Sequence, residues 1–285
     1  MARIPFALPD ARRIRSYFLR LPLATRGTLL VLTGFYIAQL ISPGLDEWGA
    51  LIPQEISLTT LYRLNTFPLL HKTLFHYLLN TISLLPLLER FESDHGTIVT
   101  ILLFTGAFGY IPGALYTLLE RYIFHLNGAA IGASIWVFLL LASESIKQYK
   151  VNPHFLLMEY RIPTWTTPLI FILVVSFLVP HTSFLGHLCG AAVGYLWGLG
   201  WIRFLAPPDK ILRWVEGKLN LLGRIPHYVS VDQKTYGRYG VLPSTNVGAG
   251  AVRVESMRDG GILAPAPANG VPLAPVTSGG QRLGP

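Results

Sequence analysis

Charged residues are scarce in this chain of 285 residues. Asp, Glu, Lys and Arg make up 13% of it, about half of the ~25% found in typical soluble domains, which argues against a soluble globular protein. Hydrophobic residues make up 51%, which argues against a disordered chain. Cysteine occurs once, as Cys189, and can form neither an intrachain disulfide nor a cysteine-based structural zinc site. We expect no metal or other cofactor.

The few charges are unevenly distributed. Residues 1–26 carry six arginines and one aspartate, residues 27–205 carry eight basic and nine acidic residues, and residues 206–285 carry nine basic and five acidic residues. A charge-poor centre between two basic ends predicts a membrane protein with both ends in one compartment. We therefore divide the chain into a basic segment 1–26, a membrane domain 27–205, a juxtamembrane segment 206–240 and a tail 241–285.

Six apolar stretches in the membrane domain approach the ~20 residues that a helix needs to cross ~30 Å of hydrocarbon. They cover residues 27–45, 68–88, 98–119, 127–143, 165–180 and 183–205. With six spans, the basic N-terminus, the 144–164 loop and the basic region after residue 203 lie on one side, which predicts that both termini are cytosolic. The sequence thus predicts an all-α polytopic membrane protein with six transmembrane helices.

Two different segments follow the last span. Within 206–240, a proline pair and an aspartate predict a helix start, and apolar residues then recur at helical spacing among basic ones, as in an interfacial amphipathic helix on an anionic leaflet. These apolar residues are Ile211, Leu212, Val215, Leu219 and Leu222. Residues 241–285 contain eight glycines, six prolines and no aromatic residue, which predicts a disordered cytosolic tail.

Strongly polar side chains inside three spans mark a candidate site, because such residues are rare in membranes and usually functional. They are His76 and Asn80 in the second span, Ser134 in the fourth and His187 in the sixth. His76 and Asn80 are four residues apart and share a helix face. All three spans enter from the non-cytosolic side, and helical rise places these side chains roughly 5–10 Å deep, with Ser134 six or seven residues into its helix.

A glycine stripe in the sixth span predicts close helix packing at this depth. Glycines recur every four residues, at Gly186, Gly190, Gly194 and Gly198, and glycine lets two helix backbones approach each other. A serine nucleophile and a histidine base need that proximity, since they must come within ~3 Å. The predicted chemistry is acyl transfer, in which the histidine accepts the serine proton and the asparagine amide donates to the oxyanion.

At these residues the sequence resembles the rhomboid intramembrane serine proteases. The spacing of His71, His76 and Asn80 is that of the family's second helix, Gly132-x-Ser134 resembles its nucleophile motif, and His187-x-x-Gly190-x-x-x-Gly194 resembles its sixth helix. Tyr62-Arg63 resembles the Trp-Arg pair of its first external loop. The resemblance covers about residues 27–205, and the long cytosolic tail is similar to that of fungal Golgi-type members.

The resemblance implies a six-helix rhomboid fold in the Golgi membrane and a protease that cleaves the transmembrane segments of single-pass proteins. The implied catalytic residues are Ser134 and His187, with oxyanion stabilisation by Asn80 and His76 and a supporting role for His71, Gly132 and Gly190.

The sequence also predicts how the histidine is held. No Asp or Glu falls at the depth of His187, so we expect a dyad rather than a triad. An aromatic side chain, such as Tyr77 or Tyr195, would then fix the imidazole.

Structural interpretations stand beside these functional ones. In isolation, Ser134 is consistent with a small residue that packs between helices, and His76 and Asn80 with hydrogen bonds that join helices. The alternative function is a catalytically silent rhomboid-like scaffold that binds transmembrane clients, and a transporter is a third. The serine–histidine pair, which the silent relatives usually lack, favours the protease.

The last residues predict one further partner. Residues 276–284 resemble, in degenerate form, the short motif that docks onto the hexameric AAA segregase. Gly280, Leu283 and Gly284 fit that motif, whereas Val276 and Ser278 depart from it. The alternative is a solvated glycine-rich end without a partner. Because the basic residues flank a membrane helix, no nucleic-acid partner is expected.

Overall fold

The computed structural model describes residues 11–179 and 182–234 and is mostly helical. The helices are α1 (Ala11–Arg20), α2 (Leu23–Ile41), α3 (Leu45–Gly49), α4 (Arg63–Thr66), α5 (Leu74–His95), α6 (Thr97–Thr105), α7 (Ala107–Leu118), α8 (Ser134–Val151), α9 (Thr167–Leu178), α10 (Phe184–Leu199), α11 (Asp209–Leu219) and α12 (Leu221–Arg224). The tail 241–285, with the 276–284 motif, lies outside the described residues, as do residues 1–10 and 235–240.

A small sheet interrupts the helical pattern. Strands β1 (His154–Leu157) and β2 (Tyr160–Pro163) form an antiparallel hairpin, with His154 opposite Pro163 and Leu157 opposite Tyr160. The 144–164 stretch, predicted as a loop, is therefore partly the end of α8 and partly this hairpin, which the all-α prediction did not include.

Helix length and apolar composition support fewer spans than the six predicted. Among the described residues, two stretches can cross a membrane by these criteria, Leu23–Ile41 and Thr97–Ile123. The second comprises α6, α7 and a π-helical turn after them. A third results if α10 and Arg203–Leu219 are counted together, although they meet at 91°. The stretch Thr164–Leu178, which contains α9, is apolar but shorter.

Two helices begin later than the predicted spans, for local reasons. α5 begins at Leu74, because the Thr73 side chain accepts a hydrogen bond from the His76 N–H at 3.1 Å and caps the helix there. α8 begins at Ser134 rather than at 127, because residues 127–133 are irregular and Gly132 has a φ of 118°, a conformation that a helix excludes. The prediction that Ser134 lies six or seven residues into its helix was wrong.

α8 and α10 pack backbone against backbone. A Cβ atom at Gly190 would overlap the carbonyl oxygen of Ile135, and one at Gly194 would overlap that of Leu139. A Cβ atom at Gly186, by contrast, would lie 3.1 Å from the hydroxyl oxygen of Ser183, at the start of the same helix. The glycine stripe thus brings the two helices together from its second member onward, since any side chain there would separate them.

An aromatic cluster fills the core between α5, α6, α7, α8 and α10. Its rings belong to Phe91, Phe104, Phe108, Trp136 and Trp197, with neighbouring centroids 5.2 to 5.9 Å apart and mostly edge to face. The Trp136 indole N–H donates to the Phe108 carbonyl at 3.1 Å, so its polar atom is satisfied inside the core. This cluster fixes α8 against its neighbours.

A buried carboxylate joins the start of α2 to the end of α5. Glu92 is 0% exposed and accepts hydrogen bonds from the N–H groups of Ala24 and Thr25 and from the hydroxyls of Thr25 and Thr97, at 2.7 to 2.8 Å. Thr97 also exchanges two hydrogen bonds with the Val229 backbone, at 2.9 and 2.8 Å. α5 therefore continues beyond residue 88, where the predicted second span ends, and the C-terminal segment docks at its end.

α11 is the helix predicted after the last span, but it packs partly on protein. Leu212 is 2% exposed in the core, whereas Ile211 and Trp214 are exposed. Glu216 accepts a hydrogen bond from the Tyr228 hydroxyl at 2.7 Å. Burial raises the pKa of Tyr228 well above its usual range, and the hydrogen bond to Glu216 raises it further. These contacts hold the helix against the segment that follows it.

Candidate active site

Ser134 and His187 meet at the starts of two adjacent helices. Ser134 is the first residue of α8, and His187 lies in the first turn of α10. The His187 Nε2 atom is 2.9 Å from the Ser134 hydroxyl oxygen, which is hydrogen-bonding distance for a base and a nucleophile. This close approach depends on the glycine stripe, because Gly190 lies one turn beyond His187 and against the backbone of Ile135.

The imidazole is held by an aromatic ring that the sequence argument missed. The ring of Phe138 lies against His187, with centroids 4.5 Å apart and planes tilted by 41°. Tyr77 and Tyr195, the candidates named from the sequence, are engaged elsewhere. Tyr77 stacks on Tyr36 at 4.7 Å, and the Tyr195 hydroxyl donates to a backbone carbonyl before α9. The four-residue spacing from Ser134 to Phe138 could have identified the correct ring.

The second ring nitrogen of His187 is bonded by no protein group among the described residues. His187 is 2% exposed, and its Nδ1 atom has no hydrogen-bond partner within the described ranges. A catalytic triad would place a carboxylate at this atom. Among these residues no carboxylate bonds this atom, and the contact given for the ring is its packing against Phe138.

His76 and Asn80 approach the backbone just before Ser134. A Cβ atom at Gly132 would lie 2.5 Å from His76 Cε1 and 3.2 Å from the Asn80 amide nitrogen, so Gly132 provides the space for both side chains. The Asn80 Nδ2 atom is buried and has no hydrogen-bond partner in the part of the chain that the structure describes. A buried unpaired donor is costly, and an acceptor that reached this nitrogen would remove that cost.

The start of α8 adds backbone donors beside the serine. The first N–H groups of a helix have no intrahelical acceptor and carry a partial positive charge. The Ser134 N–H belongs to this set, whereas the Ala133 N–H before it donates to His71 Nε2 at 3.3 Å. An oxyanion beside Ser134 would thus meet donors from the helix start.

His71 lies outside the helix that carries His76 and Asn80. It is 1% exposed and sits between the turn Phe67–Leu69 and α5. Its side chain supports the segment before Ser134 through the bond to Ala133 and does not line the cavity described next.

A cavity of about 360 Å³ opens beside the serine and the histidine. Residues before and in the first turn of α5, the 129–132 segment, the start of α8 and the start of α10 line it. Its polar lining comes from Lys72, Thr73, His76, Ser134, Thr182, Ser183 and His187. The volume is in the range of small-molecule sites, and Ser134 and His187 both line it.

Two other side chains with a nucleophilic atom, a thiol and a hydroxyl, lie away from the site. Cys189 is 2% exposed within the hydrophobic core. Ser143 lies nine residues beyond Ser134 on α8, about 13 Å by helical rise, and its backbone borders Gly198 instead. Within residues 11–179 and 182–234, no group of three or more His, Cys, Asp or Glu side chains is placed to hold a metal ion.

The Tyr62-Arg63 pair braces the loop before α5. Arg63 donates to the Ala50 carbonyl at 3.0 Å and forms an ion pair with Glu55 at 3.0 Å. Tyr62 stacks on Trp48, with ring centroids 5.0 Å apart. The sequence identified the pair but not its partners, which lie 8 to 14 residues earlier in a stretch without periodicity.

Comparison with known proteins gives consistent matches. A model of the Rhomboid domain matches residues 58–204. Rhomboid-type serine protease 2 of Neurospora crassa is 51% identical over 280 residues, which is 97% of this chain and 95% of that protein. Rhomboid-type serine protease B of Aspergillus fumigatus is 53% identical over 255 residues, 88% and 94% of the two chains. Rhomboid-type serine protease 2 of Gibberella zeae is 57% identical over 238 residues, 83% and 89%.

Proposed function

The chain belongs to the rhomboid family of intramembrane serine proteases, and we propose that it cleaves transmembrane segments of single-pass proteins with a Ser134–His187 dyad. The observation that carries this proposal is the 2.9 Å distance between the serine hydroxyl and the histidine Nε2. The cavity beside them supports it, since a peptide must reach both side chains.

The proposed reaction is an acyl transfer in two steps. Ser134 Oγ attacks the substrate carbonyl carbon while its proton passes to His187 Nε2, and the resulting oxyanion accepts hydrogen bonds. The C–N bond then breaks, and the imidazolium gives its proton to the leaving amine. In the second step water attacks the acyl-enzyme ester, with His187 taking the proton of the water and returning it to Ser134 Oγ.

The proposed oxyanion donors are the Asn80 amide, His76 and the Ser134 N–H. The buried, unpaired amide nitrogen of Asn80 supports its assignment, and His76 lines the cavity. Gly132 and Gly190 act by leaving space, the first for the two α5 side chains and the second for α8.

Replacing either dyad member tests this proposal. We expect Ser134→Ala and His187→Ala each to abolish cleavage of a transmembrane substrate in proteoliposomes, while membrane insertion is retained. The double variant should be no worse than either single variant, because the two residues act in one proton transfer. Losses that multiply would contradict the dyad. Activity retained in either single variant would also contradict the dyad, whereas a wild-type protein that binds the substrate without cutting it would favour the silent-scaffold alternative.

The site also predicts the kind of substrate helix. A peptide carbonyl in an intact helix is bonded to the N–H four residues later, so cleavage requires a segment that unwinds near the non-cytosolic membrane surface. Substrates should therefore carry Gly, Pro or Ser near that end of the span. Equal cleavage of a poly-Leu span and a Gly/Pro-containing span would refute this rule.

The proposal includes six spans with cytosolic termini in the Golgi membrane. The starts of α5, α8 and α10 converge at the site, which supports the arrangement in which these three helices enter from the non-cytosolic side. Protease protection of N- and C-terminal epitope tags in sealed vesicles, and co-localisation with a Golgi marker, test the two parts. If either tag were digested by a protease present only on the luminal side, the proposed orientation would be refuted.

We further propose that residues 276–284 dock onto the hexameric AAA segregase from the cytosol, which would couple cleavage to extraction of substrate. A chain of apolar anchors and glycines can lie close to a partner surface. Deleting 276–285, or the change Leu283→Asp, should abolish co-purification of the ATPase and leave the reactivity of Ser134 unchanged. Undiminished co-purification would place the contact elsewhere and overturn this assignment.

A further inference from the structure

The side chain of Gln39, on α2, binds the backbone of His71 on both sides. Gln39 Oε1 accepts from the His71 N–H at 2.9 Å, and Nε2 donates to the His71 carbonyl at 3.2 Å. Nε2 also donates to the Asp46 carboxylate, which fixes the orientation of the amide because a carboxylate only accepts. His71 is buried outside regular structure, so without Gln39 these two backbone groups would lack partners at a cost in free energy.

The side chain of His71 continues this connection to the nucleophile. Its Nε2 atom accepts from the N–H of Ala133, the residue directly before Ser134. The rings of His76 and Tyr77 lie edge-on to the imidazole, with centroids 5.2 and 5.7 Å away, and restrict its rotation. Gln39, His71 and Ala133 therefore form a continuous series of contacts from α2 to the start of α8.

We propose that Gln39 is a positioning residue for Ser134 and acts through His71. This inference rests on the proposed function, in which Ser134 Oγ must lie within reach of His187 and of the substrate carbonyl. Because Ser134 is the first residue of its helix, its position depends on the backbone just before it. A displacement of about 1 Å at a reacting group can cost on the order of a hundredfold in rate. Gln39, which lies 32 residues before His71 in the sequence, limits such a displacement.

The test measures the rate at which a fluorophosphonate labels Ser134 in the full-length, detergent-solubilised protein. Gln39→Met keeps the side-chain length but removes the hydrogen bonds, and we expect labelling and kcat to fall about tenfold with KM little changed, as for a misplaced nucleophile. Gln39→Glu keeps an oxygen opposite the His71 N–H, but its second oxygen would face the Asp46 carboxylate and the His71 carbonyl, which only accept, so it should not restore the labelling rate. An unchanged rate in Gln39→Met, or the wild-type rate in Gln39→Glu, would overturn the proposal.

A matched control separates positioning from stability. The Asn65 side chain donates to the Thr105 carbonyl at 2.6 Å, so it is also an amide that ties one helix to another, but it does not contact His71. Asn65→Ala should lower the unfolding temperature without slowing the labelling of Ser134. If Gln39→Met did the same, its role would be structural only.

A double-mutant cycle tests the path. If Gln39 acts through His71, the variant carrying Gln39→Met and His71→Ala should be labelled no more slowly than His71→Ala alone. Independent, multiplying losses would refute the connection. Labelling that persists in Ser134→Ala would instead contradict the proposed function, so the two failures are distinguishable.

Discussion

The two helices that flank α8 near the candidate site, α10 and α9, are packed in different ways. α10 buries nine of its residues and meets α8 through glycines, with carbonyl oxygens in the space of absent side chains. α9 buries Pro168 and Ile172 and exposes large side chains, with Phe177 89% exposed. Ser134 and His187 thus lie on a pair of helices joined by backbone packing, whereas α9 is attached through few side chains.

The largest expected effect comes from widening the α8–α10 contact. Gly194→Leu would place a side chain on the Leu139 carbonyl, and overpacking of this kind costs on the order of 1–3 kcal/mol or more. We expect no measurable cleavage and a lower unfolding temperature, because Ser134 and His187 would move apart. Gly34→Leu on α2 is the control, since nothing lies within 4 Å of a Cβ there. Full activity of Gly194→Leu would show that the α8–α10 contact is not what holds Ser134 and His187 together.

The next effect concerns the oxyanion. Asn80→Ala removes one donor and should lower kcat by roughly a hundredfold, the usual consequence of losing a single oxyanion-hole group. KM should change little, since the bond forms in the transition state. An unchanged kcat would mean that the backbone donors at the start of α8 suffice.

A smaller effect is expected at Phe138, which belongs to α8 and packs on His187. Phe138→Ala should lower kcat by about tenfold, because the imidazole would sample orientations in which Nε2 does not face Ser134. Phe138→Tyr keeps the ring and should retain most of the activity. If both variants were fully active, the ring would not be what orients His187.

The smallest effect is expected on α9. Phe177→Ala removes a side chain with few protein contacts and should change the free energy of unfolding by no more than about 0.5 kcal/mol. Labelling of Ser134 should proceed at the wild-type rate. A loss comparable to that of Phe138→Ala would show that α9 is as tightly coupled to the site as α10.

The sequence predicted the meeting of Ser134 and His187 better than the path by which they meet. Spacing and the glycine stripe indicated a close helix pair, and the structure brings the two side chains to 2.9 Å. Apolar runs, however, could not reveal that residues 127–133 are irregular, because Gly132 and its neighbours are as apolar as a helix interior. The residue that could have indicated the irregular segment is Gly132, whose φ of 118° prevents α8 from extending toward residue 127.

The pattern of residues along the sequence did not predict which distant segments contact each other. Glu92 lies between the second and third predicted spans, yet it is buried and bonded to the start of α2. Gln39 was one polar residue within an apolar span, and its partner His71 is 32 residues away. Local periodicity reports which face of a helix is apolar, but it does not report which buried polar groups satisfy each other.

The most direct measurement of the central claim is covalent labelling followed by peptide mapping. A fluorophosphonate should modify wild-type protein at Ser134, and His187→Ala should lose that modification, because the hydroxyl would then lack the base 2.9 Å away. Modification at Ser143 or any other serine, or undiminished labelling of Ser134 in His187→Ala, would contradict the dyad.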